Sequence, residues 1–287
     1  MNKKHTNTDN EVYFLGSQTG EPKQKRKSYK WFWIILCALI SVAAIIIFLT
    51  RENKPDYYFE PEESTVIMDN VSETNSIDTI KSYIERQEET INDVPLYIYV
   101  PHNAELSLAL NIHNQVEDST IICAMQAADI RGDNKEIVGD FVLEGKQLSR
   151  GTAKLGFCAI INDEITIGMK AKTPLRQEAI DSSGYFFRQY PLVNNGELVE
   201  NNPKNKSIRR ALAIRNNKVV MVESRSSESF HDFSQALLDI GVTDAIYLVG
   251  SANAYGWYTD KNKEKIIYGN MPDDELKNIS YIVWRAK

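Results

Sequence analysis

Hydrophobic and polar positions divide this chain sharply. Trp31 to Leu49 runs nineteen residues without a charge or a proline. As a helix rising 1.5 Å per residue it would span about 28 Å, close to the roughly 30 Å hydrocarbon core of a bilayer. Trp31 and Trp33 stand at one end, where indole rings favour the membrane interface. No A-x-A-like cleavage site follows, so the pattern predicts an uncleaved membrane anchor over residues 31–50. Residues 1–30 are polar and basic and read as a flexible cytoplasmic tail. Residues 51–64 are acidic with two prolines and read as a stalk.

Beyond residue 65 the pattern changes to short alternating runs. Asn75 or Ser76 can cap a helix over Ile77–Glu89, with Ile77, Ile80 and Ile84 on one side. Leu96–Val100 and Glu105–Asn111 read as strands. Thr120–Ala128 suits a strand or a buried helix. Gly156–Ile161, Asn162-Asp163 and Glu164–Gly168 predict a hairpin. Thr173-Pro174 opens a short helix running to Ile180. Ile208–Ile214, Asn216-Asn217 and Val219–Glu223 predict a second hairpin. Glu228–Ile240 has the strongest helical period, with Ser229 at its start and Gly241 at its end. Ala245–Val249 reads as a buried strand, and Tyr255–Thr259, Ile266–Tyr268 and Tyr281–Trp284 as shorter ones. The expected fold class is α+β: one transmembrane helix followed by a mixed-sheet globular domain over residues 65–287.

Charge sharpens the topology. Met1–Lys30 carries seven Lys and Arg against three Asp and Glu, a net +4. Residues 31–50 carry no charge, so the rest of the chain holds −10 of the overall −6. The positive-inside rule then places the N-terminus in the cytoplasm and the domain outside it. An acidic domain is a poor polyanion binder, so nucleic acid is not an expected partner. Cys123 and Cys158 could pair outside the cytoplasm, though small buried free thiols are the simpler reading. No Cys or His cluster has metal-ligand spacing, and no phosphate-loop, dinucleotide, zinc-protease or serine-hydrolase motif occurs. The sequence does not identify a cofactor or a metal requirement.

Three segments carry candidate chemistry: Ser182-Ser-Gly-Tyr-Phe-Phe-Arg-Gln-Tyr-Pro191; Ser207-Ile-Arg-Arg-Ala-Leu212 with its hairpin; and Ser229-Phe-His-Asp232, its helix, Gly241 and Ala245–Ser251. In order and spacing they resemble the phosphodiester glycosidase family. That family has a Gly-aromatic segment, an Arg-Thr-Ala strand, a hairpin, a helix opening on an acid, and a strand ending Leu-Asp-Gly-Gly-Gly-Ser. The resemblance covers about residues 120–285 and rests on motif order.

It implies an extracytoplasmic hydrolase of a glycosyl phosphodiester in the cell envelope. Arg209 or Arg210 and Asp232 are the implied catalytic residues. Gly184, Phe186, Phe187, Gly250 and Ser251 are implied to bind substrate. Tyr255 and Trp257 could form a sugar-stacking platform, or could be strand core. The implied partners are a carbohydrate or glycosyl phosphodiester and, through residues 31–49, the membrane. One departure weighs against catalysis: Val249 stands where the family has aspartate. Valine transfers no proton, so the reaction would need another acid such as Asp181, Asp232 or Glu223. The alternative is a catalytically degenerate relative that binds an envelope glycan or a protein partner.

Overall fold

In the computed structural model the described residues are 67–69, 81–273 and 276–287. The expected tail, the apolar segment 31–49 and the stalk lie outside them. The chain begins with β1 (Ile67–Asp69), β2 (Tyr83–Ile91), β3 (Val94–His102), β4 (Ala104–Leu110) and β5 (Ile121–Gln126). Next come β6 (Phe141–Leu143), β7 (Lys146–Ser149), β8 (Gly156–Ile161), β9 (Glu164–Met169) and helix α1 (Leu175–Asp181). Then follow β10 (Tyr185–Gln189), β11 (Pro191–Asn194), β12 (Glu197–Leu198), β13 (Arg210–Arg215), β14 (Lys218–Ser224) and helix α2 (Phe230–Asp239). The last strands are β15 (Val242–Leu248), β16 (Gly256–Thr259), β17 (Lys265–Tyr268) and β18 (Ser280–Ala286).

Three sheets result. Their strand orders are β1-β9-β8-β10-β6-β7, β12-β11-β15-β13-β14-β3-β2 and β17-β16-β5-β18-β4. The pairings from β8–β9 through β13–β14 to β18–β4 are antiparallel throughout. This corrects the expected α+β class with a mixed sheet: the domain is mostly antiparallel β, with two short helices among the described residues. None of the described helices is long and apolar enough to cross a membrane.

The largest sequence error lies in the expected helix Ile77–Glu89, of which residues 81–89 are described. Its Glu, Arg and Gln residues favour a helix in isolation. Instead β2 pairs with β3 along nine residues, from Tyr83 opposite His102 to Ile91 opposite Val94. The turn is Asn92-Asp93, with φ of 48° and 64°. That is the same left-handed two-residue signal seen at Asn162-Asp163 and Asn216-Asn217, and it selects a tight hairpin. Tertiary pairing overrides the local preference. Pro101 also lies within β3, opposite Ile84 of the neighbouring edge strand.

The period of two sorts side chains between cores. Leu212, Ile214, Ile246 and Leu248 face a large central cluster shared by all three sheets. Their neighbours Ala211, Ala213, Ala245 and Tyr247 face the second sheet's other side, which α2 covers with Phe230, Phe233 and Leu237. Ser229 caps α2 by accepting a 3.0 Å hydrogen bond from the Asp232 N–H. Gly241, at φ +84°, closes it in the left-handed conformation that glycine adopts without strain. Cys123 and Cys158 are both free and buried.

Candidate functional site

The hairpin β13–β14 and the loop after β15 build the site. Arg210 and Glu223 are directly opposite in the β13–β14 register. Both project to the sheet face of the central core, at its edge. Arg210 Nε donates to Glu223 Oε2 in a close ion pair. Arg210 Nη1 donates to the carbonyls of Val249 at 3.4 Å and Ala254 at 3.2 Å, so it holds both ends of the loop 249–254. The guanidinium also lies 4.8 Å from the Tyr268 ring centre. Burial works against this cation, but Tyr268 and Glu223 outweigh it and keep its pKa above the ordinary arginine value. Among the described residues Nη2 has no hydrogen-bond partner.

Each oxygen of Glu223 has a partner. Tyr99 Oη donates to its Oε1 at 3.4 Å. Burial is the first cause of the raised Tyr99 pKa, and Glu223 adds to it, so Tyr99 stays a neutral donor. Above the pair opens a cleft of about 500 Å³, lined by Tyr97, Arg210, Glu223, Arg225, Ala252 and Tyr268 among others. Arg225 stands half-exposed at its edge. Its guanidinium lies 4.9 Å from the Tyr97 ring, and its Nη1 donates to Glu88 at 3.0 Å. Arg86 lies 4.3 Å from the same ring. The cleft therefore has a buried cation with a spare donor, a second arginine at the edge, and one carboxylate already spent.

The loop itself depends on close packing. A Cβ on Gly250 would stand 2.2 Å from the Ile208 carbonyl oxygen, so only glycine fits. The Gly250 N–H donates to Tyr247 Oη at 2.9 Å. Ser251 has φ of 129°, which is strained for a residue with a side chain. Its Oγ accepts from the Asn253 N–H at 3.1 Å.

The other sequence candidates fall elsewhere. Arg209 is buried on the opposite face, toward α2. It donates to the carbonyls of Glu228, at 3.0 Å, and Asn205, and stacks 4.1 Å from Phe230. Asp232 is also on the α2 side, half-exposed, 3.4 Å from Lys206. The second sheet thus separates Asp232 from Arg210. Phe186 packs against Phe157 and Val142 on the outer face of the first sheet, and Phe187 lies in the central core. Gly184 lets the chain pass the Ile160 carbonyl, where a Cβ would stand 2.6 Å away. Tyr255 and Trp257 are buried together on the third sheet's outer face. Of the proposed set, the structure gathers Arg210, Gly250 and Ser251 at one loop. Glu223, Arg225, Tyr97 and Tyr268 complete that neighbourhood. The register Arg210-opposite-Glu223 was readable from the predicted hairpin; Arg225 and the tyrosines carried no sequence signal.

No family model matches the chain. No curated protein matches it by sequence. Among solved structures it is similar to the zebrafish N-acetylglucosamine-1-phosphodiester alpha-N-acetylglucosaminidase catalytic domain auto-inhibited by its pro-peptide, with a TM-score of 0.55 over 77% of this chain and 87% of that one. The relationship is one of fold, and it is distant. Identity is 13%. A hypothetical protein from Synechocystis aligns with a TM-score of 0.47 at 11% identity, over 74% of this chain and 64% of that one. The motif order in the sequence and this likeness point to the same fold.

Proposed function

We propose that this domain binds a glycosyl phosphodiester in the Arg210 cleft without turning it over. The observation that carries the reading is the contrast within the cleft. Arg210 keeps Nη2 for a ligand, and Arg225 adds a second fork suited to phosphate oxygens. Among the described residues the one carboxylate lining the cleft, Glu223, is bound by Arg210 and Tyr99, and Val249 supplies none. Glycoside cleavage normally needs two carboxyl groups, one to protonate the leaving oxygen and one to attack or to activate water. The domain lies outside the cytoplasm in this reading, supported by the charge asymmetry around residues 31–49. Envelope glycans are then its ligands, and its acidity disfavours nucleic acid.

The fold likeness favours a second reading, hydrolysis with Glu223 as the acting carboxyl group. One experiment separates the two. The full-length chain is titrated calorimetrically with methyl phosphodiesters of glucose, N-acetylglucosamine and mannose, and released sugar is measured by chromatography. Saturable binding without release supports recognition. Sugar release that Glu223→Gln abolishes would replace it with hydrolysis. Absence of both binding and release across the panel defeats both.

A further inference from the structure

A second cavity, of about 570 Å³, lies beside the same loop, and Val249 lines it. Its polar part is built around Lys154, which is only 6% exposed. The Lys154 ammonium pairs closely with Asp129 Oδ2. It also donates to Gln189 Oε1 at 2.6 Å and lies 4.5 Å from the Tyr190 ring centre. Gln189 Oε1 accepts from the Tyr190 N–H at 3.0 Å as well, so the lysine's partner is itself fixed. Burial lowers the Lys154 pKa, and Asp129 opposes that fall. The lysine thus acts as a prop. It holds the Asp129 carboxylate, whose side chain is 35% exposed, at the cavity. Among the described residues Asp129 Oδ1 takes no hydrogen bond.

The cavity's other polar element is an amide pair. Asn270 Nδ2 donates to Asn253 Oδ1 at 3.2 Å, and the Asn270 N–H donates to the Asn253 carbonyl at 3.0 Å. Among the described residues Asn253 Nδ2 and Asn270 Oδ1 have no hydrogen-bond partner. Val249, Leu276 and Ile279 supply aliphatic surface beside these groups.

We propose that this cavity is a binding site for an uncharged polyhydroxylated ring, a hexopyranose unit. Among the described lining residues the two charges, Lys154 and Asp129, cancel, so a charged ligand would lose hydration there without a compensating partner. A hydroxyl both donates and accepts. Sugar hydroxyls can therefore donate to Asp129 Oδ1 and Asn270 Oδ1 and accept from Asn253 Nδ2. The C–H surface of the ring packs on Val249, Leu276 and Ile279. An aspartate at position 249 would put a second charge against that surface, whereas valine leaves it apolar. This site shares the loop 249–254 with the Arg210 cleft but needs no phosphodiester bound there.

The test is saturation-transfer NMR with calorimetric titration of the full-length chain, using glucose, galactose, mannose and N-acetylglucosamine as probes. A blocked alanine tripeptide serves as an uncharged comparison. At least one sugar binds saturably, and excess inorganic phosphate does not displace it. Asp129→Asn abolishes the binding. Because that change strands a buried lysine and can unfold the domain, Asn253→Ala at an exposed position is read beside it. Asn253→Ala weakens the sugar about tenfold, the scale of one hydrogen bond, with an unchanged circular dichroism spectrum. The proposal is overturned if none of the four sugars binds or if both variants leave binding unchanged. Displacement by phosphate, or tighter binding of the tripeptide, overturns it equally.

Discussion

Arg188 in the first sheet and Arg210 in the second are 2% and 3% exposed, and each is bound to an acid. Arg188 Nε donates to Asp140 at 2.8 Å. Its Nη1 donates to the Lys170 carbonyl at 2.8 Å and its Nη2 to the Ala171 carbonyl at 2.9 Å. Every nitrogen of that guanidinium has a protein partner, so it ties β10 to two neighbouring segments from a buried position. Arg210 spends Nε on Glu223 and Nη1 on the loop, and keeps Nη2 at the edge of a cleft. Burial and pairing are therefore shared by a structural arginine and one proposed to recognise a ligand. The unspent donor distinguishes them.

Substitutions can break this contrast. Arg188→Met leaves Asp140 buried without a cation. It should lower the free energy of unfolding by about 3–5 kcal/mol in urea denaturation, the usual cost of breaking a buried pair from one side. A loss under about 1 kcal/mol would show that Arg188 is not structural. Arg210→Gln should cost less, about 2 kcal/mol, because the cleft admits water to the stranded Glu223. Its larger effect falls on ligand: glycosyl phosphodiester affinity drops at least about tenfold in calorimetry. If affinity survives, the spare-donor distinction fails.

Two smaller effects calibrate the α2 side, which the same reasoning leaves structural. Ser229→Ala removes the cap and should cost about 1 kcal/mol in the same denaturation assay, with phosphodiester affinity unchanged. The smallest effect concerns Asp232. Its pKa is lowered by the hydrogen bond to Ser229 and, further, by Lys206, against a partial burial effect. A lowered carboxyl pKa contributes stability above the unfolded value of about 4, and loses it as pH falls through the folded value. The melting-temperature gap between wild type and Asp232→Asn should be small at pH 7 and shrink as pH falls below about 4. A gap that widened on acidification would reverse the assignment.

Hairpins were legible in the sequence because two-residue Asn/Asp turns leave a local backbone demand that side-chain identity reveals. Asn162-Asp163 and Asn216-Asn217 were read this way; Asn92-Asp93 carries the same signal, but it was masked by the helix-favouring residues of β2. The helix α2, its Ser229 cap and its Gly241 stop were likewise local, and so were the places of β13 and β15 along the chain, though not their ends: β13 begins at Arg210 and β15 at Val242. The order of motifs also pointed to a fold likeness that the architecture supports.

Which residues meet was a different matter. Arg209 and Arg210 are adjacent in sequence, yet the two-residue period of β13 sends them to opposite faces. Only sheet packing determined that one face meets α2 and the other the cleft. Asp232 looks like a partner of these arginines along the chain, but the sheet lies between it and Arg210. Asp129, Lys154 and Asn270 have no motif at all and converge only in three dimensions. The sequence by itself determined where strands turn and helices stop, since those depend on neighbours a few residues away. The site was left to the tertiary structure, because a cleft is made by side chains far apart in sequence whose directions depend on register, sheet order and burial.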